Sequence, residues 1–201
     1  CYLPEFYKEF NEKYPDLGKK HPKSAFDLLY DTEIGKIARI LDFSLKDTTT
    51  NVVKMLKYMM KINHPTQVLE ENYKTKQMLN RYKQINTKYQ KLIEKARSFN
   101  KEKILYFQYG GDLSLSANLS NQLAYEYPEK TIIVAYIKGD VANISIRGKK
   151  DMKKLTLQAI KNIEGATGGG HEHATGAKLS VSHLPEFREN IYNMIQKQNL
   201  Q

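Results

Sequence analysis

Seven residues in the middle of the chain repeat with a period that only a helix satisfies. Met78, Tyr82, Ile85, Tyr89, Leu92, Ala96 and Phe99 follow one another at alternating steps of four and three, an a/d heptad pattern. At 1.5 Å per residue this stretch makes a rod of about 33 Å. Two readings of its apolar stripe are open: packing against its own domain, or a short coiled-coil contact with a partner. The a and d positions mix aromatic and aliphatic side chains, which favours packing against its own domain over a coiled coil.

The segment before the rod is also helical. Ile34, Ile37, Ala38 and Leu41 lie three and four apart, which marks one helix face. Asp47 and the threonines 48–50 offer side-chain oxygens to orphan backbone N–H groups, so a further helix is expected to start there. Val53, Leu56, Met60 and Asn63 then follow at helical spacing, and His64-Pro65 ends the run because a residue before proline is pushed out of the α region.

After Asn100 the period changes from helical to extended. Ile104–Tyr109 and Thr131–Ile137 are β-branched and aromatic runs, the second continuous enough for a strand buried on both faces. Ala142, Ile144 and Ile146 alternate with polar residues, as do Ala177, Leu179 and Val181. Helices are expected through Leu115, Leu119 and Leu123, through Met152, Leu155, Ala159, Ile160 and Ile163, and through Leu184, Phe187, Ile191 and Met194. Pro185 is tolerated in the first turn of the last one. The order β-α-β-β-α-β-α predicts an α/β domain from about residue 101 to the end.

Composition narrows what the chain does. With 201 residues, 40% hydrophobic content and 10% aromatics, it can bury a core. No stretch approaches the roughly 18–20 apolar residues of a spanning helix, and the first residues lack the pattern of a signal peptide. Membrane partners are therefore not expected, and the single cysteine, Cys1, suits a reducing cytoplasmic setting. A chain opening on Cys1 rather than Met is expected to be trimmed or a fragment, and a terminal cysteine is also what intein removal leaves. The formal charge of +10 points to a polyanionic partner. It concentrates in two stretches. Residues 64–102 hold nine Lys and Arg against four Glu, and residues 147–161 hold six against one Asp.

The strongest local signal is Gly168-Gly169-Gly170-His171-Glu172-His173-Ala174-Thr175-Gly176. Three consecutive glycines forfeit the most backbone entropy on ordering and are poor material for helix or strand, so a loop is expected. Such a run suits close backbone approach to an anion, with His171 donating to a phosphate oxygen; a plain connection into the last strand is the other reading. His171 and His173 would share a side if extended, yet only Glu172 stands nearby as a further metal donor.

Arg147 is one of five arginines against 27 lysines. It ends the strand Ala142–Arg147 and is followed by Gly148-Lys149-Lys150. A guanidinium fork grips phosphate in two places, which lysine cannot reproduce; a solvated strand end is the alternative. The chain has no Asp-His pair, no Cys-x-x-Cys, no His-Glu-x-x-His and no Gly-x-x-x-x-Gly-Lys-[Ser/Thr] loop. No carboxylate set would hold two divalent metals for phosphate hydrolysis. The residues read as a phosphate-binding module without its own catalytic centre.

Asn143-Ile144-Ser145-Ile146-Arg147, an amphipathic helix and then Gly168-Gly169-Gly170-His171 through Gly176 resemble the DHHA1 domain of the DHH phosphoesterase superfamily. That domain commonly shows a Ser-x-Arg strand followed by Gly-Gly-Gly-His-x-x-Ala-Ala-Gly. Here Thr175 replaces the second Ala, and Gly148 follows the arginine where Ser is common. Upstream, Glu33 to Lys46 is similar to the segment linking the two domains of archaeal RecJ-like exonucleases. The resemblance implies a helical region over 1–100 and an α/β DHHA1-like domain with a mixed sheet over 101–201. It implies that Arg147, Gly168, Gly169, Gly170 and His171 contact substrate phosphate and sugar, with Ser145, His173, Lys149 and Lys150 as further candidates. It also implies a DHH domain, outside this chain or on a separate subunit, that holds Mn²⁺ or Mg²⁺ and hydrolyses single-stranded nucleic acid or short oligonucleotides. This chain would then carry no catalytic residue and bind no metal itself. Two other roles stay open: a non-catalytic nucleic-acid-binding or replication scaffold subunit, and a tRNA-linked module of the kind found in alanyl-tRNA synthetases.

Overall fold

A computed structural model describes residues 4–19, 21–99 and 102–197. Cys1 lies outside them. The chain divides into two units, residues 1–88 and 89–201, and the boundary falls within one long helix.

The first unit is helical. Its helices are α1 (Pro4–Lys13), α2 (Ala25–Asp31), α3 (Glu33–Ser44), α4 (Thr49–Met59) and the start of α5 (Lys76–Arg97). α2 begins in a capping box: Ser24 Oγ accepts the Asp27 N–H, and the Asp27 carboxylate accepts the Ser24 N–H. Thr32 caps α3 by accepting the Gly35 N–H. Leu17, Ile37, Ile40, Met55, Val68, Met78 and Leu79 form the core of this unit.

α4 differs from expectation in two respects. It ends at Met59, well short of His64, and a 3-10 turn, Pro65–Val68, follows the break. Its N-cap Thr48 makes no side-chain cap bond; Asp47 instead accepts from the Thr48 N–H and from Asn51. The helix buries Met55, while the stripe Val53, Leu56 and Met60 faces outward.

α5 carries the heptad stripe, with one shift. Ile85, Tyr89 and Ala96 are buried as expected, but Ile93 rather than Leu92 is fully buried, and Phe99 lies beyond the helix, 55% exposed. A helix with 3.6 residues per turn rotates its apolar face away from a 3.5-residue repeat, by about 20° per heptad. Within the second unit, Tyr89 Oη donates to Gln122 Oε1 at 2.6 Å. The stripe there packs against its own unit.

The second unit contains β1 (Ile104–Gly110), α6 (Ser116–Glu126), β2 (Thr131–Lys138), β3 (Val141–Arg147), α7 (Met152–Ile160), β4 (Thr167–His171), β5 (Ala174–Ser180) and α8 (Leu184–Lys197). One mixed sheet has the order β1-β2-β3-β5-β4, with β1 and β2 parallel and the remaining pairs antiparallel. β2 is buried on both faces from Ile132 to Tyr136, as its unbroken apolar run requires. α7 and α8 cover one face through Ile144, Ile146, Ala177, Leu179, Leu155, Phe187 and Ile191. α6 lies on the other face, against β2 and β3.

The glycine run corrects an expectation. Gly168, Gly169 and Gly170 are not a loop but most of β4, an edge strand hydrogen-bonded to β5. An edge strand tolerates the entropic cost because the ladder to β5 fixes its backbone, and the lack of side chains resolves contacts that Cβ atoms would prevent. A Cβ at Gly168 would lie 2.8 Å from Ile160 Cδ1 and 3.0 Å from the Gly176 carbonyl oxygen. Gly170 sits at φ +137°, and a Cβ there would lie 2.5 Å from the Ala174 carbonyl oxygen.

Candidate functional site

β3 presents its alternation to two environments. Ala142, Ile144 and Ile146 are buried under α7 and α8, while Asn143, Ser145 and Arg147 lie half-buried on the α6 face. Strand register extends that face across three strands. Arg147 pairs with Ala174 and Ala174 with His171; Ser145 pairs with Gly176 and Gly176 with Gly169; Asn143 pairs with Lys178 and Lys178 with Thr167. Cross-strand partners share a face, so these residues form three transverse rows. β4 and β5 are uncovered there: every residue they present on this face is half-buried or exposed. The result is a shallow platform with a floor of glycine and alanine, walled on one side by α6.

Arg147 is held by neutral oxygens. Its Nε donates to Asn121 Oδ1 of α6 at 2.8 Å, and Nη1 donates to the carbonyls of Ile146 at 2.8 Å and Thr175 at 3.3 Å. No carboxylate is among its partners in the described residues, and Nη2 makes none of these bonds. Burial pulls the guanidinium below its ordinary pKa, the signature of a cation that has lost water without gaining an opposite charge. A half-buried, uncompensated guanidinium with a free edge is a strong anion receptor.

His171 ends β4, exposed, beside the two-residue turn Glu172-His173. That turn is anchored: the Gly148 N–H donates to the His173 carbonyl at 3.2 Å, and the Met152 N–H to the Glu172 carbonyl at 2.6 Å. The β4–β5 hairpin is thereby tied to the segment that follows Arg147. Thr156 and Thr175 share a buried 2.8 Å hydrogen bond that pins β5 to α7 from the opposite face.

The remaining expected residues divide. Ser145 Oγ donates to Ser116 Oγ at 3.0 Å, at the first turn of α6, so it joins the platform. His173 lies in the turn, exposed, and its ring is 4.0 Å from the Glu172 carboxylate. Lys149 is ion-paired with Glu129 and exposed; Lys150 is half-buried. Among the described residues no group of three or more His, Cys, Asp or Glu could hold a metal ion.

Sequence reasoning missed Asn121, Ser116 and Lys178. Asn121 and Ser116 reach the site only because α6 crosses β3. Lys178 had a local signal: it alternates with Ala177 and Leu179, so its strand phase is that of Ala174 and Gly176.

The second unit is thus an α/β domain whose open, glycine-floored sheet face bears an arginine with no carboxylate partner among the described residues. Residues 100–197, just under half of the chain, match the family model of the DHHA1 domain. An uncharacterized protein of Methanocaldococcus jannaschii is 33% identical over 75 residues, 35% of this chain and 17% of that protein. Two solved structures share the fold. RecJ from Thermus thermophilus in complex with Mg²⁺ has a TM-score of 0.58 at 12% identity, over 94% of this chain and 28% of that one. The pGpG-specific phosphodiesterase PggH from Vibrio cholerae has a TM-score of 0.59 at 11% identity, over 97% of this chain and 68% of that one. The chain thus spans small parts of the archaeal relative and of RecJ. Among the described residues no helix is long and apolar enough to cross a membrane.

Proposed function

We propose that this chain is the substrate-holding part of a DHH-family phosphodiesterase acting on single-stranded nucleic acid or short oligonucleotides. The observation that carries the reading is the row Arg147–Ala174–His171. Strands lie about 4.8 Å apart, so the two side chains rise from backbones roughly 10 Å apart with only a methyl group between them. Arg147 grips one phosphate through its free edge. His171 orients the neighbouring phosphate or sugar, and Gly169 and Gly176 let that chain lie close to the sheet. Structures that share the fold include an exonuclease RecJ bound to manganese and a pGpG-specific phosphodiesterase, and their chemistry supports this reading. The hydrolytic metals, Mn²⁺ or Mg²⁺, belong in this reading to a DHH domain, in the same protein or as a partner subunit, and the working compartment is the cytoplasm.

The test is binding of the 5′-phosphorylated dinucleotide pTpT to the full chain. Arg147→Ala should weaken it about tenfold or more, as loss of a hydrogen bond to a charged group does. Equal affinity of the variant and the parent chain overturns the reading.

A further inference from the structure

The first unit contains a groove of about 530 Å³ between α4, the residues around Tyr73 and the start of α5. Its lining carries four lysines, Lys54, Lys57, Lys61 and Lys74, against a single acid, Asp47. The four ammonium groups take no carboxylate partner among the described residues. Elsewhere in this unit Lys19, Lys36, Lys46 and Lys83 are each paired with Asp or Glu. Asp47 carries one negative charge against these four positive ones, and its carboxylate accepts from the Thr48 N–H, Asn51 and Gln77. Tyr73 stands at the rim, 85% exposed, with the Lys74 ammonium 5.6 Å from its ring centre.

We infer that this groove is a second binding site, for the backbone and one base of single-stranded nucleic acid. Lys54 and Lys57 lie one turn apart on α4 and Lys61 lies just beyond its end, all three in the groove lining, where they track a run of phosphates. The exposed ring of Tyr73 offers a stacking surface that any base can use. A groove that only met an acidic protein would need the lysines but not an upright, solvent-exposed tyrosine beside them. The inference rests on nucleic acid being the ligand proposed above, but on none of the residues of the sheet platform.

Two ligands separate the sites in the full chain: pTpT, short enough for the platform alone, and a long single-stranded oligothymidylate. The quadruple variant K54Q/K57Q/K61Q/K74Q should bind the long strand at least tenfold more weakly at low salt. Its slope of log K against log salt should be shallower by about 3, the loss expected for four phosphate contacts on a single strand. Its affinity for pTpT should be unchanged. Tyr73→Ala should weaken the long strand by about fivefold or more. An unchanged salt slope in the quadruple variant overturns the inference, as does poly-glutamate competing as well as the oligonucleotide with no dependence on Tyr73. Failure of Arg147→Ala to affect pTpT would instead remove the platform reading and leave the groove standing.

Discussion

Arg147 and His171, 24 positions apart in sequence, flank Ala174 in a single transverse row of the sheet. On that face only the methyl group of Ala174 stands between them. That relationship brings two separate sequence motifs onto one face of the sheet.

The neutral cradle of Arg147 makes Asn121 a positioning residue with a directional test. Asn121→Asp keeps the shape but adds a carboxylate at 2.8 Å from Nε. The new ion pair should raise the guanidinium pKa and cancel its attraction for anions. Binding of pTpT should therefore fall further in Asn121→Asp than in Asn121→Ala, while thermal stability holds or rises. A titration of both variants beside a melting curve checks the sign; a purely structural role for Asn121 would make the isosteric change the milder one.

The glycines of β4 should separate folding from binding. Gly170→Ala forces a side chain into φ +137° and against the Ala174 carbonyl, at a cost of about 2 kcal/mol or more. Gly169 has ordinary backbone angles and nothing within 4 Å of the place a Cβ would occupy. Gly169→Ala should change stability by less than about 1 kcal/mol, yet narrow the platform and weaken pTpT. Denaturant melts together with binding isotherms measure the two effects.

Burial at the end of α5 predicts an asymmetry between Ile93, on the helix, and Phe99, just beyond it. Ile93 is fully buried and Phe99 is 55% exposed. Ile93→Ala should cost about 2–5 kcal/mol, as truncation of a packed core side chain does, and Phe99→Ala under about 1 kcal/mol. Chemical denaturation of the two variants decides it.

Arg97 and Glu126 add a pH dependence within the second unit. Arg97 donates to both carboxylate oxygens, from Nε at 2.9 Å and Nη2 at 2.6 Å. Burial pushes the Glu126 carboxyl up, but the bonds from Arg97 and Gln122 and the Arg97 charge outweigh it, and the group titrates below its ordinary 4.5. A depressed folded-state pKa contributes stability above pH 4.5 that is lost as pH falls through the folded value. With Arg97 44% exposed, the pair is worth at most about 1 kcal/mol. Glu126→Gln should lower the melting temperature at neutral pH and converge with the parent chain in acid.

Much of the second unit is legible in consecutive residues. The alternation Ala142–Arg147 correctly separates a buried face from a polar one, and the doubly apolar run Thr131–Ile137 marks a central strand, because burial imposes a period of two or none. Helix periodicity locates α5, although its buried face shifts from Leu92 to Ile93, since a heptad count ignores the drift of a straight helix. The glycine run is where local reasoning fails. Intrinsic propensity opposes a strand there, and only the ladder to β5 overrides it.

By itself the sequence determined the order of helices and strands, the phase of β3 that turns Arg147 away from the core, and the excess of positive charge. Each of these is a property of neighbours along the chain. Only the tertiary structure decided that Arg147 loses water without gaining a carboxylate, that Asn121 holds it, and that His171 and Lys178 share its face. Register and desolvation depend on which distant segments meet, and no local period encodes that.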